Sequence, residues 1–563
     1  MFDKLKRILL TRDGILRPSV FFLVPALFYG FSAARSPLWL DATLILDSAR
    51  SLTLSAWVNI HNLFNVLGFL WLRLFAWVDP CHALTLLAAL FGALTVLFFY
   101  LIFLEFRRGP FFPAAAALAV MLSHSLWWHS SIIEVYTLNA FLISVMLLAL
   151  LRWETRGNSG YLALAFGALG FGVSNHVLMG LFVPAFAVLP AWMRFVRKRR
   201  IGGRALLLAA LCLAAGGGLY AFVFLRDVAG NMGPSTGFAE AFGRTWLKAT
   251  GGEFRDYMFT EGLSRSEMRF WRWNYPFLWL MNFPSAAILL GFYGLVRWVR
   301  DREVSGTLVF LLTAMAAQII WSANYFIWDM FAFSMPVYLM FGVLAGYGLC
   351  RLAGTGRKGR LLAFIAVPTF LVPLFLYPAL ARSGGEGSAV RRYFAHYEVV
   401  PTVRPVWNPE PYIINPWKGG FDDVNRVIGP LLERLPEGAV LLAGDPTVDF
   451  PLKYYYRSVL GRRPDIELRS IFLPFMNERR ALGTARGLLK TLESGRSVYF
   501  LSPSYPERAV LIALASLADP PVDARGLAGL DDETFIAAYD AWPLDAEDLT
   551  ADGSVTLYRL CPR

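Results

Sequence analysis

Charge is scarce in this chain: 17% of its 563 residues are Asp, Glu, Lys or Arg, against 56% hydrophobic. Soluble globular chains carry about a quarter charged residues, so water alone is excluded as the solvent. Cysteine is scarcer still. Cys81, Cys212, Cys350 and Cys561 stand far apart with no CxxC pair, which leaves neither a zinc ribbon nor a disulfide framework and favours buried thiols. The 6 histidines show no metal-binding spacing, and no Walker or HExxH motif occurs. The long apolar runs do not alternate in strand-sized segments, which excludes an outer-membrane barrel.

What is present is a series of apolar runs of about 20 residues, the length a helix needs to cross about 30 Å of hydrocarbon. They lie near residues 18–34, 82–105, 111–128, 137–152, 161–175, 178–194, 204–225, 276–297, 306–323, 331–350 and 361–381. The net charge of +12 is not gathered into a nucleic-acid-binding domain. It falls in short clusters at every second connection: Arg107/Arg108, Arg152/Arg156, Arg197-Lys198-Arg199-Arg200, Arg297/Arg300/Arg302 and Arg351/Arg357/Lys358/Arg360. Such clusters mark cytoplasmic loops. The N-terminal run reads as a retained anchor rather than a cleaved signal peptide. The alternation holds if His61–Val78 lies at the outer interface without crossing. The expectation is an α-helical polytopic protein of the bacterial inner membrane with about 11 transmembrane helices, juxtamembrane helices and a cytoplasmic N-terminus. Residues 1–382 form the membrane domain. Residues 383–563, charged and rich in Pro and Gly, form a soluble extracytoplasmic α/β domain, with strands at Ala439–Ala443 and Ser497–Leu501 and a helix at Asn477–Leu492.

Ionisable groups at the ends of apolar spans are costly unless solvated or paired, which makes them candidates for a site. The outward connections carry Asp41 and Asp47, then His61, His129 and Glu134, then Asn175 and His176, and finally Asp329. Glycines in FGALGFG, AAGGG and at Gly342 and Gly346 read as close helix packing rather than as a phosphate cradle.

The order of these elements resembles the GT-C superfamily of membrane glycosyltransferases. Within it the chain is most similar to the transmembrane protein O-mannosyltransferase family and its bacterial relatives. The resemblance rests on Asp47-Ser48-Ala49, His61-Asn62-Leu63-Phe64, Glu134-Val135-Tyr136, Asn175-His176, the stretch from Gly230 to Phe259, Tyr325 to Tyr338 with Asp329, and Tyr454 to Asp465. It departs where relatives carry a second acid and a His-Pro pair, for which this chain has Arg50 and His61-Asn62. That departure leaves use of a divalent metal, and the identity of the acceptor, open.

The resemblance implies transfer of a sugar from a polyprenyl-phosphate donor to an acceptor hydroxyl on a protein, lipid or glycan, with inversion. Nucleotide sugars do not cross membranes unaided, so an outward-facing transferase needs a lipid-delivered donor. Asp47 is then the general base, and Glu134 a second acid that orients the acceptor or holds a metal. The departing phosphate needs cations or donors around it. His61, His176 and one of Arg269 or Arg272 are placed to supply them, with Asp41, His129, Asn175 and Asp329 completing the binding residues. Membrane lipids are the other expected partners, and nucleic acid is not one. The rival readings are a transporter or flippase of lipid-linked saccharides and a non-catalytic scaffold. Against a transporter stand acids gathered at one face and the lack of repeated halves.

Overall fold

The computed structural model describes residues 17–107, 109–252, 265–301, 305–325, 330–383, 409–444, 446–459, 463, 465–471, 478–501, 505–518, 521–527, 532–539, 542–548 and 556–561. Arg108, Arg302 and Asp329 lie outside them, and so does the side chain of Arg269. The chain divides into two compact units. One comprises Met1–Ala34, Ser48–Leu380 and Ile414–Gly419, the other Arg35–Asp47, Ala381–Ile413 and Gly420–Arg563.

The first unit is helical, as hydrocarbon demands of a backbone whose every polar group must be satisfied within its own segment. Among the described residues, six helices are long and apolar enough to cross a membrane, and eight if each of two bent pairs is one span. This is an integral, multi-pass membrane protein. The bent pairs correct two spans that hydropathy presents as straight. The run at 111–128 is two helices, Phe111–Met121 and His124–Ser130, meeting at 65°. The run at 276–297 breaks between Asn282 and Ala287, around Pro284, and turns by 105°. Both arms of each bend are apolar, so their hydropathy reads through the corner. Asn62–Leu74 is a 13-residue helix, about 20 Å long and too short to cross. Val20–Ser32 has the same 13 residues.

Helix ends sort the polar residues. At one end Glu105 pairs with Arg152 and Arg156 at 2.7 Å each, and Asp301 pairs with Arg351 and Arg297 at 3.0 and 3.1 Å. The Glu154 carboxylate caps the Ser305–Ser322 helix, accepting from the Gly306 and Thr307 amides at 2.8 and 2.7 Å. The helices Tyr136–Arg156 and Ser159–Asn175 both have their other ends, Tyr136 and Asn175, away from this charged layer. Between the layers, small residues bring backbones together. A Cβ on Gly170 would fall 2.4 Å from the Leu213 carbonyl oxygen, so Ser159–Asn175 and Gly203–Asn231 touch main chain to main chain.

The second unit contains a five-stranded sheet of β1 (Val440–Ala443), β2 (Glu467–Ser470), β3 (Val498–Phe500), β4 (Leu544–Asp548) and β5 (Thr556–Leu560), in the order β2-β1-β3-β5-β4. β1 pairs parallel with β2 and β3, while β5 runs antiparallel to β3 and β4. The helices Glu478–Glu493 and Tyr505–Ala515 bury Leu488, Leu492, Val510 and Leu514 against Val440, Val498 and Phe500. Tyr454 and Tyr455 are buried, and Tyr456 donates its hydroxyl to the Ile466 carbonyl at 2.7 Å, so the tyrosine run is packed. Arg463 pairs with Asp465 at 2.8 Å and holds the carbonyls of Leu432 and Leu435.

Candidate functional site

In the first unit the site grows from helix ends. Ser159–Asn175 stops at His176, whose backbone turns extended before the chain re-enters a helical turn at Val177. The His176 ring caps that turn: Nδ1 accepts from the Leu178 amide at 3.2 Å, which puts its proton on Nε2. His61 immediately precedes the short Asn62–Leu74 helix. Its Nδ1–H donates to the Asn175 carbonyl at 3.2 Å, so Nε2 carries the lone pair. Burial lowers its imidazole to about 4, against the opposing effect of that hydrogen bond, and His61 is neutral at pH 7. The two rings stack with centroids 5.0 Å apart, presenting one acceptor nitrogen and one donor.

Asn175 ties this pair to the start of the next helix. Its Nδ2 donates to the Val135 carbonyl at 3.1 Å and to Asn139 Oδ1 at 2.9 Å. Tyr136 continues the ring array, lying 5.3 Å from His176 and 5.1 Å from His129. The array thus brings His61, Asn175, His176 and His129 together beside Glu134, which is half-buried and accepts from the Val135 amide at 3.2 Å. Tyr136 and Asn139 are functional-site candidates that the search for ionisable residues passes over, since neither is charged.

Two expectations are corrected here. His129 is not in an outward loop: it is fully buried on the His124–Ser130 helix, with Nδ1 donating to the Ser125 carbonyl at 2.6 Å, because that helix is the bent continuation of the preceding one. His61 supplies no cation, since it is neutral and its N–H is already used. Of the basic side chains from Arg226 onward, Arg226 binds Asp227 at 2.6 Å and Arg244 binds Glu240. Arg272 is exposed and donates to Asn324 Oδ1 at 3.0 Å. A string of G-x-S-x-G form does occur at Gly233–Gly237, but it sits in a tight turn between helices, with Gly233 bridged to Thr236, and not at a strand-to-helix elbow.

Asp41 and Asp47 belong to the second unit's segment Arg35–Asp47. Asp47 is half-buried on the helix Ala42–Arg50, and Asp41 stands just before it. Leu40, next to Asp41, holds φ at 69°, in the left-handed region that non-glycine residues rarely adopt. Solvent reaches Asp41, yet the protein crowded around its carboxyl raises it to about 6. Among the described residues no group of three or more His, Cys, Asp or Glu is placed to hold a metal ion.

Residues 61–199 match the family model for the protein O-mannosyl-transferase TMEM260 N-terminal domain. That segment contains His61, His129, Glu134, Asn175 and His176. No curated protein sequence matches. Among solved structures, ArnT from Cupriavidus metallidurans bound to undecaprenyl phosphate superposes with a TM-score of 0.52 at 13% identity, over 96% of this chain and 97% of that one. The Archaeoglobus fulgidus oligosaccharyltransferase in its apo form gives 0.48 at 13%, covering 88% of this chain and 71% of that one. The S. cerevisiae protein O-mannosyltransferase Pmt1-Pmt2 complex bound to the sugar donor gives 0.31 at 15%, over 45% and 38%. The chain shares the fold of the ArnT structure.

Proposed function

We propose that this chain, a membrane glycosyltransferase by its GT-C fold and its matched O-mannosyl-transferase segment, moves a sugar from a polyprenyl-phosphate donor to an acceptor hydroxyl on the extracytoplasmic face, inverting the anomeric centre. The observation that carries the reading is the His61–His176–Tyr136–His129 array, tied by Asn175 beside Glu134 and lying wholly inside the matched segment. Its position at the helix ends opposite the paired arginines supports the outward orientation.

In this mechanism Asp47 takes the proton of the acceptor hydroxyl as its oxygen attacks the sugar C1 opposite the departing phosphate. Glu134 orients the acceptor. The new negative charge on the lipid phosphate is met by the Nε2–H of His176, a fixed donor in a buried setting, and by the exposed Arg272 guanidinium. Asp41, Asn175 and Asp329 bind sugar hydroxyls. A protein hydroxyl is the acceptor that the matched segment favours.

The test is a donor panel. Purified protein in detergent is given polyprenyl-phosphate mannose, glucose, arabinose or aminoarabinose with a serine- and threonine-rich peptide. Release of polyprenyl phosphate, with a product anomer opposite to the donor's, is expected. Retention of configuration contradicts the single-displacement mechanism.

A further inference from the structure

The apolar helix Ser305–Ser322 carries a side chain that its packing does not call for. Gln318 is fully buried and gives its Nε2–H to the Leu178 carbonyl at 3.4 Å, while its Oε1 has no hydrogen-bond partner among the described residues. The opposite assignment of the amide would set two carbonyl oxygens against each other. A wholly buried amide with one end unsatisfied costs stability that Leu or Met in the same space would not. Packing alone therefore does not explain Gln318, and what its N–H holds does. Leu178 is the residue whose own amide is given to His176 Nδ1 at 3.2 Å. One residue thus links the imidazole to the Ser305–Ser322 helix.

The same end of the helix holds Arg272. Asn324 lies in the turn that closes the helix, its amide hydrogen-bonded to the Trp321 carbonyl at 3.1 Å. Its side chain works in two directions: Nδ2 donates to the Ile320 carbonyl at 2.7 Å, and Oδ1 accepts from Arg272 Nη2 at 3.0 Å. The helix Arg265–Asn282, which carries Arg272, is fastened here a second time. Tyr275 and Ser322 join their hydroxyls at 2.8 Å, and Ser322 gives its own to the Gln318 carbonyl at 2.7 Å. Residues three apart share a helix face, so Arg272 and Tyr275 meet Ser305–Ser322 on one side. His176 and Arg272 stand far apart in the sequence, yet both are registered on the stretch from Gln318 to Asn324.

We infer that Gln318 and Asn324 are positioning residues, which fix where the His176 and Arg272 donors stand relative to each other so that the two clamp one phosphate together. This rests on the reading that these donors receive the departing lipid phosphate, to which the helix adds what sets their spacing. Gln318 is sealed in the protein and does not touch the anion: it acts through Leu178 and the ring cap. Asn324 acts on the guanidinium, taking one N–H of a group that carries several and leaving others for the anion. Donors already held in place lose little freedom when the charge develops, which is where such positioning has its effect.

The test compares undecaprenyl phosphate with undecaprenol, each binding to full-length protein in detergent and read by native mass spectrometry. A loosened fold weakens both ligands, whereas a loosened clamp weakens the phosphate alone. Wild type is expected to prefer the phosphate, and H176A and R272A to lower that preference by about tenfold or more, the worth of a hydrogen bond to a charged group. Q318M, which keeps the length of the side chain, and N324A are each expected to lower it about fivefold, the worth of one neutral hydrogen bond, with undecaprenol binding unchanged. The double variant is expected to lose less than the product of the two, because a second loosened donor has no partner left to act with. The two variants act on different donors, so one that fails to fold leaves the other to answer. A wild-type preference in Q318M and N324A, while H176A and R272A lose it, overturns the inference alone, and so does equal weakening of both ligands in Q318M and N324A. A preference kept in H176A and R272A overturns the reading of these donors and the inference with it.

Discussion

His61 stacks on His176, ring centroids 5.0 Å apart and planes 22° apart, with the first ring's Nδ1–H given to the carbonyl of the residue just before the second. The contact joins the residue before the Asn62–Leu74 helix to the end of the Ser159–Asn175 helix, and it fixes opposite tautomers on the two rings. The pair is therefore a neutral acceptor and donor held in one place, which suits hydroxyl and phosphate oxygens better than a pair of cations would.

That neutrality has a pH signature. His61 titrates near 4 folded and near 6.5 unfolded, so the unfolded chain binds the extra proton first and stability falls as pH drops through that window. The contribution at stake is at most about 3 kcal/mol. In a series of thermal unfolding curves between pH 4 and 7, H61Q is expected to flatten part of the acid-side decline. An unchanged slope would mean that His61 is solvated and protonated.

Asp41 carries the opposite sign. Its carboxyl is raised from 3.8 to about 6, so ionisation burdens the folded state and stability falls as pH rises between those values. D41N is expected to melt at a higher temperature than wild type at pH 7.5 and at the same temperature at pH 3.5, while losing donor turnover at every pH. Such an exchange of activity for stability is what a functional carboxylate in an unfavourable setting produces.

Asn175 is expected to matter for both folding and turnover. N175A leaves the Asn139 amide and the Val135 carbonyl without their buried partner, at a cost of about 1–3 kcal/mol. It also frees the turn that carries Glu134. The expected result is a lower melting temperature together with at least a tenfold fall in kcat/KM, the two measured on the same preparation.

At the opposite helix ends, E105Q breaks the pairs with Arg152 and Arg156, which are partly exposed, and is expected to cost about 1 kcal/mol. Turnover per folded molecule should stay within twofold of wild type. G170V is the severe structural change: a side chain there cannot coexist with the Leu213 carbonyl 2.4 Å from its Cβ, so a collapse in monodisperse yield from detergent is expected.

Much of this was legible because bilayers impose simple rules. Run length and arginine spacing locate the helices and the paired charged layer, and the strands β1 and β3 appear as short apolar runs in a charged tail. His61, Asn175 and His176 were visible as polar residues at span ends. Bends were not, since both arms of the corners at Leu122 and Pro284 are apolar. His129 was misplaced for that reason. Tyr136 and Asn139 carry no charge to draw attention, and their roles depend on which helix end meets which.

Lys418 was missed entirely. It is fully buried, gives Nζ to the Asn415 carbonyl at 2.5 Å, lies 5.4 Å from the Trp128 ring centroid, and takes the Ser32 carbonyl with its amide at 2.8 Å. Nothing in the run around it distinguishes a docked strap from an ordinary loop, because the contacts that bury it come from residues far earlier in the chain.

The central claim is a lipid-dependent sugar transfer run by Asp47. Its most direct test is release of polyprenyl phosphate from polyprenyl-phosphate sugars by purified wild type, D47N and E134Q, each checked for an unchanged melting temperature. Turnover by wild type, a fall of at least a thousandfold in D47N and a smaller fall in E134Q are expected. Wild-type turnover by D47N would remove the proposed base. Consumption of no donor by any variant, with lipid-linked sugars crossing proteoliposomes whether or not Asp47 is present, would replace the transferase with a transporter.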